Sequence, residues 1–260
     1  MTRSASARLA LALLLGACTT ASVSEPRSPS PATSAMTPPV ATVSPTAPTE
    51  DPAGDVDPFE PLRTRFAGRI VHPLPATLER AMRGETWKPG CPVLLGDLSL
   101  LRFNYRGFDG EVHRGPMVVN RAVARDVLGV FDALFEAGFP IRHVALAERF
   151  RPSADPNSRR SVTASFNCRP VVTPDGPGDT YSQHAFGLAV DVNSLQNPYV
   201  REDGYVRNRF AKPYVDRSQD LPGMIHDSDV VVRAFAAIGW EWGGNWSGDK
   251  DYMHFSLANR

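Results

Sequence analysis

The stretch Ser182-Gln183-His184-Ala185-Phe186-Gly187-Leu188-Ala189-Val190-Asp191 decides the reading of this chain, together with a second stretch downstream, Asp251-Tyr252-Met253-His254-Phe255. The acid of the first closes the apolar run Leu188-Ala189-Val190, where a carboxylate is costly to bury unless it is paired or bound to a metal. Gly187 and Ala189 keep the segment between His184 and Asp191 slim, so that a backbone or a substrate strand can pass close to it. No H-E-x-x-H pattern occurs in the chain, which excludes a site built from two histidines one helical turn apart.

Outward from these stretches the chain reads as short elements. Asn120 to Gly138 repeats apolar residues at helical spacing, with Asn120 as N-cap and Gly138 as C-cap, and Ile141 to Leu146 follows as a strand. Asp227 or Ser228 caps a second helix that runs through Ile238 and is ended by Gly239. Short strands are expected around Trp240-Glu241-Trp242 and over Met253 to Leu257. Helices and strands separated by long irregular insertions give an α+β class, with no internal repeat.

The pattern S-x-H-x-x-G-x-A-x-D followed by a distant acid-x-x-His resembles the zinc D-alanyl-D-alanine carboxypeptidases and L-alanyl-D-glutamate endopeptidases, the VanY-type bacterial and phage cell-wall peptidases. The resemblance runs over most of Arg106 to Leu257 and rests on motif positions that fall in order, where either half alone would be weak. It implies the Hedgehog/DD-peptidase-like zinc peptidase fold, a small antiparallel sheet with flanking helices. It also implies one Zn2+ per chain, with His184, Asp191 and His254 as ligands. The chemistry agrees, because a catalytic zinc takes three protein ligands and keeps one open position, and two neutral imidazoles with one carboxylate leave that site net positive. The other histidines, His72, His113, His143 and His226, read as ordinary core or surface residues.

Asp251 stands where the family places the acid that activates water. An offset of three from His254 would point the two side chains oppositely in a regular strand, so Asp251 is expected on the turn entering that strand, after Gly248-Asp249-Lys250. The alternative for Asp251, or for Asp249, is a turn cap. In the family an arginine from a Ser-Gly-Tyr-Arg-like segment stabilises the oxyanion. Glu148-Arg149-Phe150-Arg151-Pro152 is the equivalent here and points to Arg151, although Glu148-Arg149 departs from the Ser-Gly pair. Arg169, in Ser165-Phe166-Asn167-Cys168-Arg169, is the competing candidate for a substrate contact. Ser182 either hydrogen-bonds the substrate or shapes the turn. Trp240 and Trp242 share strand parity and read as core, with Trp246 close by, and Gly243-Gly244 reads as a backbone turn beside the metal.

The N-terminal region reads differently. Arg3 and Arg8 precede the apolar run Leu9 to Leu15, too short to span a bilayer, so residues 1–17 are an export signal. Leu15-Gly16-Ala17-Cys18 resembles the bacterial lipobox, which implies a diacylated Cys18 as the membrane anchor. Residues 18–58 hold nine of the 24 prolines, no aromatic residue and a net charge of −4, the composition of an extended tether that cannot bury a core. A domain over 59–260 remains, with a charge of about +2 and arginine far outnumbering lysine. The balanced total, Lys+Arg 28 against Asp+Glu 28, excludes an electrostatic footprint for nucleic acid. With Cys18 lipidated, Cys91 and Cys168 are left in an oxidising compartment and are expected to pair, since neither sits in a Cys-x-x-Cys arrangement.

The reading is a lipid-anchored, monomeric zinc metallopeptidase facing the cell wall or periplasm and cutting the stem peptides of peptidoglycan. Terminal D-alanine removal and cleavage of an internal L-D or D-D bond both stay open. The other class is a cell-wall-binding lipoprotein of the same fold that keeps zinc without hydrolysis. Asp251 separates the two, because a degenerate module is expected to lose the base.

Overall fold

The computed structural model describes residues 65–147, 158–173 and 176–257. The chain divides into Met1–Ala53 and Gly54–Arg260, and every described residue lies in the second unit. The export signal, Cys18, the tether and Arg151 lie outside the described residues.

Strand β1 (Gly68–Val71) pairs with β2 (Leu98–Arg106), and β2 with β3 (Val112–Asn120), in an antiparallel sheet. Helix α1 (Ala76–Met82) lies in the β1–β2 connection. The β2–β3 turn uses Asp109-Gly110: Gly110 takes a φ of +79°, and Asp109 Oδ1 accepts from Glu111 N at 3.1 Å. Both faces of this hairpin are buried. Leu101, Phe103, Tyr105, Met117 and Val119 enter one cluster, while Leu98, Leu100 and Val118 enter another. Successive side chains of a strand point to opposite faces, and each fully buried Leu or Phe contributes about 1.5–3 kcal/mol relative to exposure.

Helix α2 (Ala124–Glu136) lays Val127, Val130, Phe131 and Leu134 into the first cluster. Asn120 does cap a helical turn, accepting from Ala122 N at 3.0 Å, but that turn is the 3-10 segment Arg121–Val123 leading into α2. Gly138, at φ +72°, follows the helix end as expected. Residues 141–146 do not form the expected strand. They make one parallel bridge, Val144 with Thr163, and are held by burial of Ile141, Val144, Ala145 and Leu146 rather than by a ladder.

Beyond Cys168, β4 (Pro170–Thr173) and β5 (Gly176–Tyr181) form an antiparallel ribbon. The short helix α3 (Gln183–Phe186) leads into β6 (Ala189–Asp191), and β7 (Tyr199–Val200) follows. Helix α4 (Val230–Ala237) has Asp229, and not Asp227 or Ser228, at its N-cap position. Ser228 is in the left-handed region at φ +65°, and the Asp229 carboxylate is turned back to accept from His226 N at 2.7 Å. Strands β8 (Glu241–Trp242), β9 (Lys250–Asp251) and β10 (His254–Ser256) complete the order.

The second sheet has the order β6-β10-β8, and β7 pairs with β9. Its Val190 and Phe255 are fully buried, and Phe255 stacks on Phe235 of α4 with ring centroids 4.2 Å apart. Trp240 and Trp242 pack into the same core, as their parity indicated. Cys91 and Cys168 are disulfide-bonded, with Cα atoms 5.9 Å apart. The expected class therefore holds in its coarse form. Instead of one small sheet, the described residues form two three-stranded sheets and two two-stranded ribbons, all antiparallel.

Candidate metal centre

Ser182 begins α3 by accepting from His184 N on its Oγ at 3.3 Å, so it shapes the turn while also lining the cleft described below. Gly187 ends α3 at φ +68°, and a Cβ there would lie 2.5 Å from Asn120 N. The backbone that needs this glycine is thus the end of β3, not a substrate strand. Asn120 N donates to Gly187 O at 3.0 Å and its Nδ2 to Phe186 O at 3.0 Å, which joins the large hairpin to the site. His184 is buried, and its Nδ1 donates to the Ser165 carbonyl at 2.8 Å. That bond holds the ring with Nε2 turned toward Asp191.

Asp191 and His254 are opposite one another in the β6–β10 register, so their side chains share a face. Asp191 Oδ1 lies 3.2 Å from His184 Nε2 and 3.1 Å from His254 Nδ1. One donor atom from each of the three residues lies within 4.8 Å of the others, a group that could hold a metal ion. Burial pushes the Asp191 carboxyl up, but the His184 charge and hydrogen bonds from both imidazoles outweigh it and hold the group well below the usual carboxylate range. A permanently anionic oxygen between two imidazole nitrogens fits a divalent ion that takes mixed nitrogen and oxygen ligands.

Asp251 does not sit on a turn entering the His254 strand. It lies in β9, opposite Tyr199 of β7, and the turn at Tyr252-Met253 comes after it. That turn resets the strand parity, which is how an offset of three brings both side chains to one cleft. Val192 N donates to Met253 O at 2.9 Å and Trp242 Nε1 to Tyr252 O at 2.8 Å, so the turn is held from both sides. Asp251 Oδ1 is sealed from solvent with no hydrogen-bond partner, although the residue as a whole is half-buried. Burial, helped by the Asp191 charge, pushes its pKa up to about 7 against the opposing influence of His254 and Arg169. Gly243 makes room for it: a Cβ there would stand 2.5 Å from Asp251 O and 3.0 Å from Asp251 Cβ. The Gly243-Gly244 turn is therefore the seat of this acid.

A cleft of about 500 Å³ exposes the group, with His184, Asp191, His254, Asp251, Ser182 and Arg169 all on its wall. Arg169 Nη1 donates to Pro170 O at 3.2 Å, and its carbonyl accepts from Ser182 N at 3.1 Å. The structure thus brings Arg169 to the site, while Arg151 lies outside the described residues. Trp246 borders the cleft with its ring 5.5 Å from that of His254. His72 contacts the Leu98 carbonyl and His113 the Asp109 carboxylate, away from the donor group.

Sequence reasoning missed the asparagines that fix the chain leaving Asp191. Asn193 Oδ1 accepts from Arg142 N at 2.8 Å, and its Nδ2 donates to Pro140 O and Gly223 O. Asn197 Nδ2 donates to Val192 O at 3.1 Å, and its Oδ1 accepts from Ile225 N and Arg217 Nη2. Asn193 takes a φ of +47°, a conformation in which asparagine is among the most tolerated side chains, so its place after the motif was a usable signal.

The family described as D-alanyl-D-alanine carboxypeptidase matches residues 176–257 of this chain, a span holding all three metal-ligand candidates and Asp251. The match supports the VanY-type family and so suggests a metallopeptidase. It is narrower than the Arg106 to Leu257 over which the resemblance was read. No curated protein and no solved structure matches the chain.

Proposed function

We propose that this chain is a zinc peptidase of the DD-peptidase-like fold that hydrolyses the stem peptides of peptidoglycan, held outside the cytoplasmic membrane by lipid on Cys18. The observation that carries the reading is the convergence of His184 Nε2 and His254 Nδ1 on one oxygen of Asp191, with the Asp251 carboxylate on the same cleft wall. Zinc bound there would acidify a water and polarise the scissile carbonyl.

Asp251 is the general base. It lies on the cleft wall beside the donor group, where it accepts the proton of the attacking water and returns it to the leaving amine. Arg169 takes the role of oxyanion stabiliser at the substrate carbonyl, because it faces the cleft and its charge is felt at Asp251. The Ser165 carbonyl and the β6–β10 register hold the two imidazoles in position.

Defined muropeptides incubated with the zinc-loaded protein, with products followed by mass spectrometry, test the reading. Loss of a terminal alanine identifies a carboxypeptidase, an internal cut identifies an endopeptidase, and no cleavage of any stem peptide overturns the function.

A further inference from the structure

Arg217 lies apart from the reacting groups and yet gathers the chain around them. Neither it nor Tyr252 is among the described residues that line the cleft. Its Nη1 donates to Gln196 O and to Tyr214 O, both at 3.0 Å, and its Nη2 donates to Asn197 Oδ1 at 3.1 Å and to Ile225 O. These acceptors are backbone carbonyls and one amide oxygen on separate stretches of chain, and the stretch with Gln196 and Asn197 leads out of Asp191. A planar guanidinium with fixed donor directions serves all of them at once, which the single ammonium of a lysine cannot do.

The face of the same guanidinium is used as well. It lies over the Tyr252 ring, 4.5 Å from the centroid, and the Trp242 ring packs against Tyr252 with centroids 5.9 Å apart. Tyr252 directly follows Asp251, and its N–H donates to Pro198 O at 3.3 Å. The strands flanking the Tyr252-Met253 turn are held unequally. β10, which carries His254, is the central strand of its sheet, paired with both β6 and β8, whereas β9, which carries Asp251, forms a two-stranded ribbon with β7 through Tyr199 and Val200. A shift of the Tyr252 ring is therefore taken up by Asp251 and not by His254.

We propose that Arg217 is a positioning residue, which fixes the Tyr252 ring and through it sets Asp251 toward the donor group. This role rests on Asp251 as the base of the peptidase reading and deepens it: turnover depends on a residue outside the cleft, while the hold on the metal does not.

The test measures stem-peptide turnover, zinc Kd and amide hydrogen exchange on the full chain. Arg217→Lys keeps the charge and loses the fork. It should lower kcat by at least about tenfold with KM within about twofold of wild type, the cost of a misplaced reacting group. Its zinc Kd should stay within about threefold of wild type, short of the roughly 10- to 100-fold loss that follows when a ligand's own support is removed. Tyr252→Leu should reproduce both results, and Tyr252→Phe, which keeps the ring, should match wild type. Arg217→Lys combined with Tyr252→Leu should be no slower than the slower single variant, because the pair acts as a unit. In the zinc-free protein, Arg217→Lys should quicken exchange of residues 251–253 by at least about tenfold while the β6–β10 ladder keeps its wild-type rates. Normal kcat in Arg217→Lys, losses that multiply in the double variant, or exchange that quickens equally in turn and ladder would overturn the positioning role. If Arg217→Lys does not fold, Tyr252→Leu set against Tyr252→Phe decides by the same measures. If the wild type cuts no stem peptide, the peptidase reading fails, and the exchange comparison alone decides whether Arg217 sets the segment that bears Asp251.

Discussion

Asp191 and His254 face each other as register partners across β6 and β10, so the geometry of two donors is set by backbone pairing rather than by loop conformation. His184 reaches the same oxygen from the end of a one-turn helix that Ser182 caps. Removing the His184 imidazole therefore removes a donor without disturbing the ladder that holds the other two.

His184→Ala and His254→Ala should lose bound zinc together with activity, whereas Asp251→Asn should keep its zinc and lose hydrolysis by about 10²- to 10⁴-fold, the contribution of a positioned general base. Metal analysis after dialysis and peptide turnover on the same preparations check this. Zinc loss in Asp251→Asn would make that residue a ligand instead.

Gly243→Ala should lower kcat by at least about tenfold while zinc content is retained. The added methyl would meet Asp251 O and Cβ, both backed by β9, and so displaces the base without touching a ligand. Such a small displacement of a reacting group is known to be expensive. Normal turnover in this variant would show that Asp251 has slack.

The metal-free protein should show a pH signature from Asp251. Its folded pKa lies near 7, above the ordinary 3.8, so the folded state holds the proton more tightly. The stabilisation this gives is fully present below about pH 4 and is lost as pH rises through 7, by up to about 4 kcal/mol at about 1.4 kcal/mol per pK unit. Asp191, held low, acts in the opposite sense but only below its ordinary range, outside that window. Denaturant titrations of zinc-free wild type and Asp251→Asn should differ by this slope between pH 4 and 8. Parallel curves would mean the acid is not charged at a cost.

Replacing Cys168 with serine should reduce stability by about 2–5 kcal/mol and also raise KM, because Arg169 is the next residue and Ser182 N bonds to its carbonyl. A stability loss with unchanged kinetics would separate the bridge from the cleft.

Cys18→Ser should move the protein from the membrane fraction to the soluble fraction with activity intact, since the candidate site lies wholly beyond the tether. Unchanged membrane retention would remove the lipid anchor from the account.

The donor group was legible through the resemblance carried by the two motifs, with the acid closing an apolar run at Asp191 as the physical sign beside it. The disulfide was legible from compartment and count. The β2–β3 hairpin was not. Leu98-Ser99-Leu100-Leu101-Arg102-Phe103 lacks the alternation that marks a half-buried strand, because both of its faces are covered, although Asp109-Gly110 offered a hairpin signal. The opposite error fell on Ile141 to Leu146, where apolar residues sought the core with only one bridge partner. Asp251 was assigned to the turn instead of to β9 because the Tyr252-Met253 turn that follows it has no glycine or proline to announce it.

The disulfide and the Asp191–His254 pair have a joint consequence for the topology of the chain. The first ties positions 77 residues apart, the second positions 63 residues apart, and the two loops follow one another along the chain without overlapping. The disulfide restricts the unfolded ensemble, whereas an ion bound at the pair would favour the folded state, so the two act on different sides of the equilibrium. An oxidant fastens one loop, and a divalent ion held by the donor group would fasten the other. A chain still in a reducing, metal-buffered interior would carry neither fastening, and it would reach its full rigidity only where both are supplied.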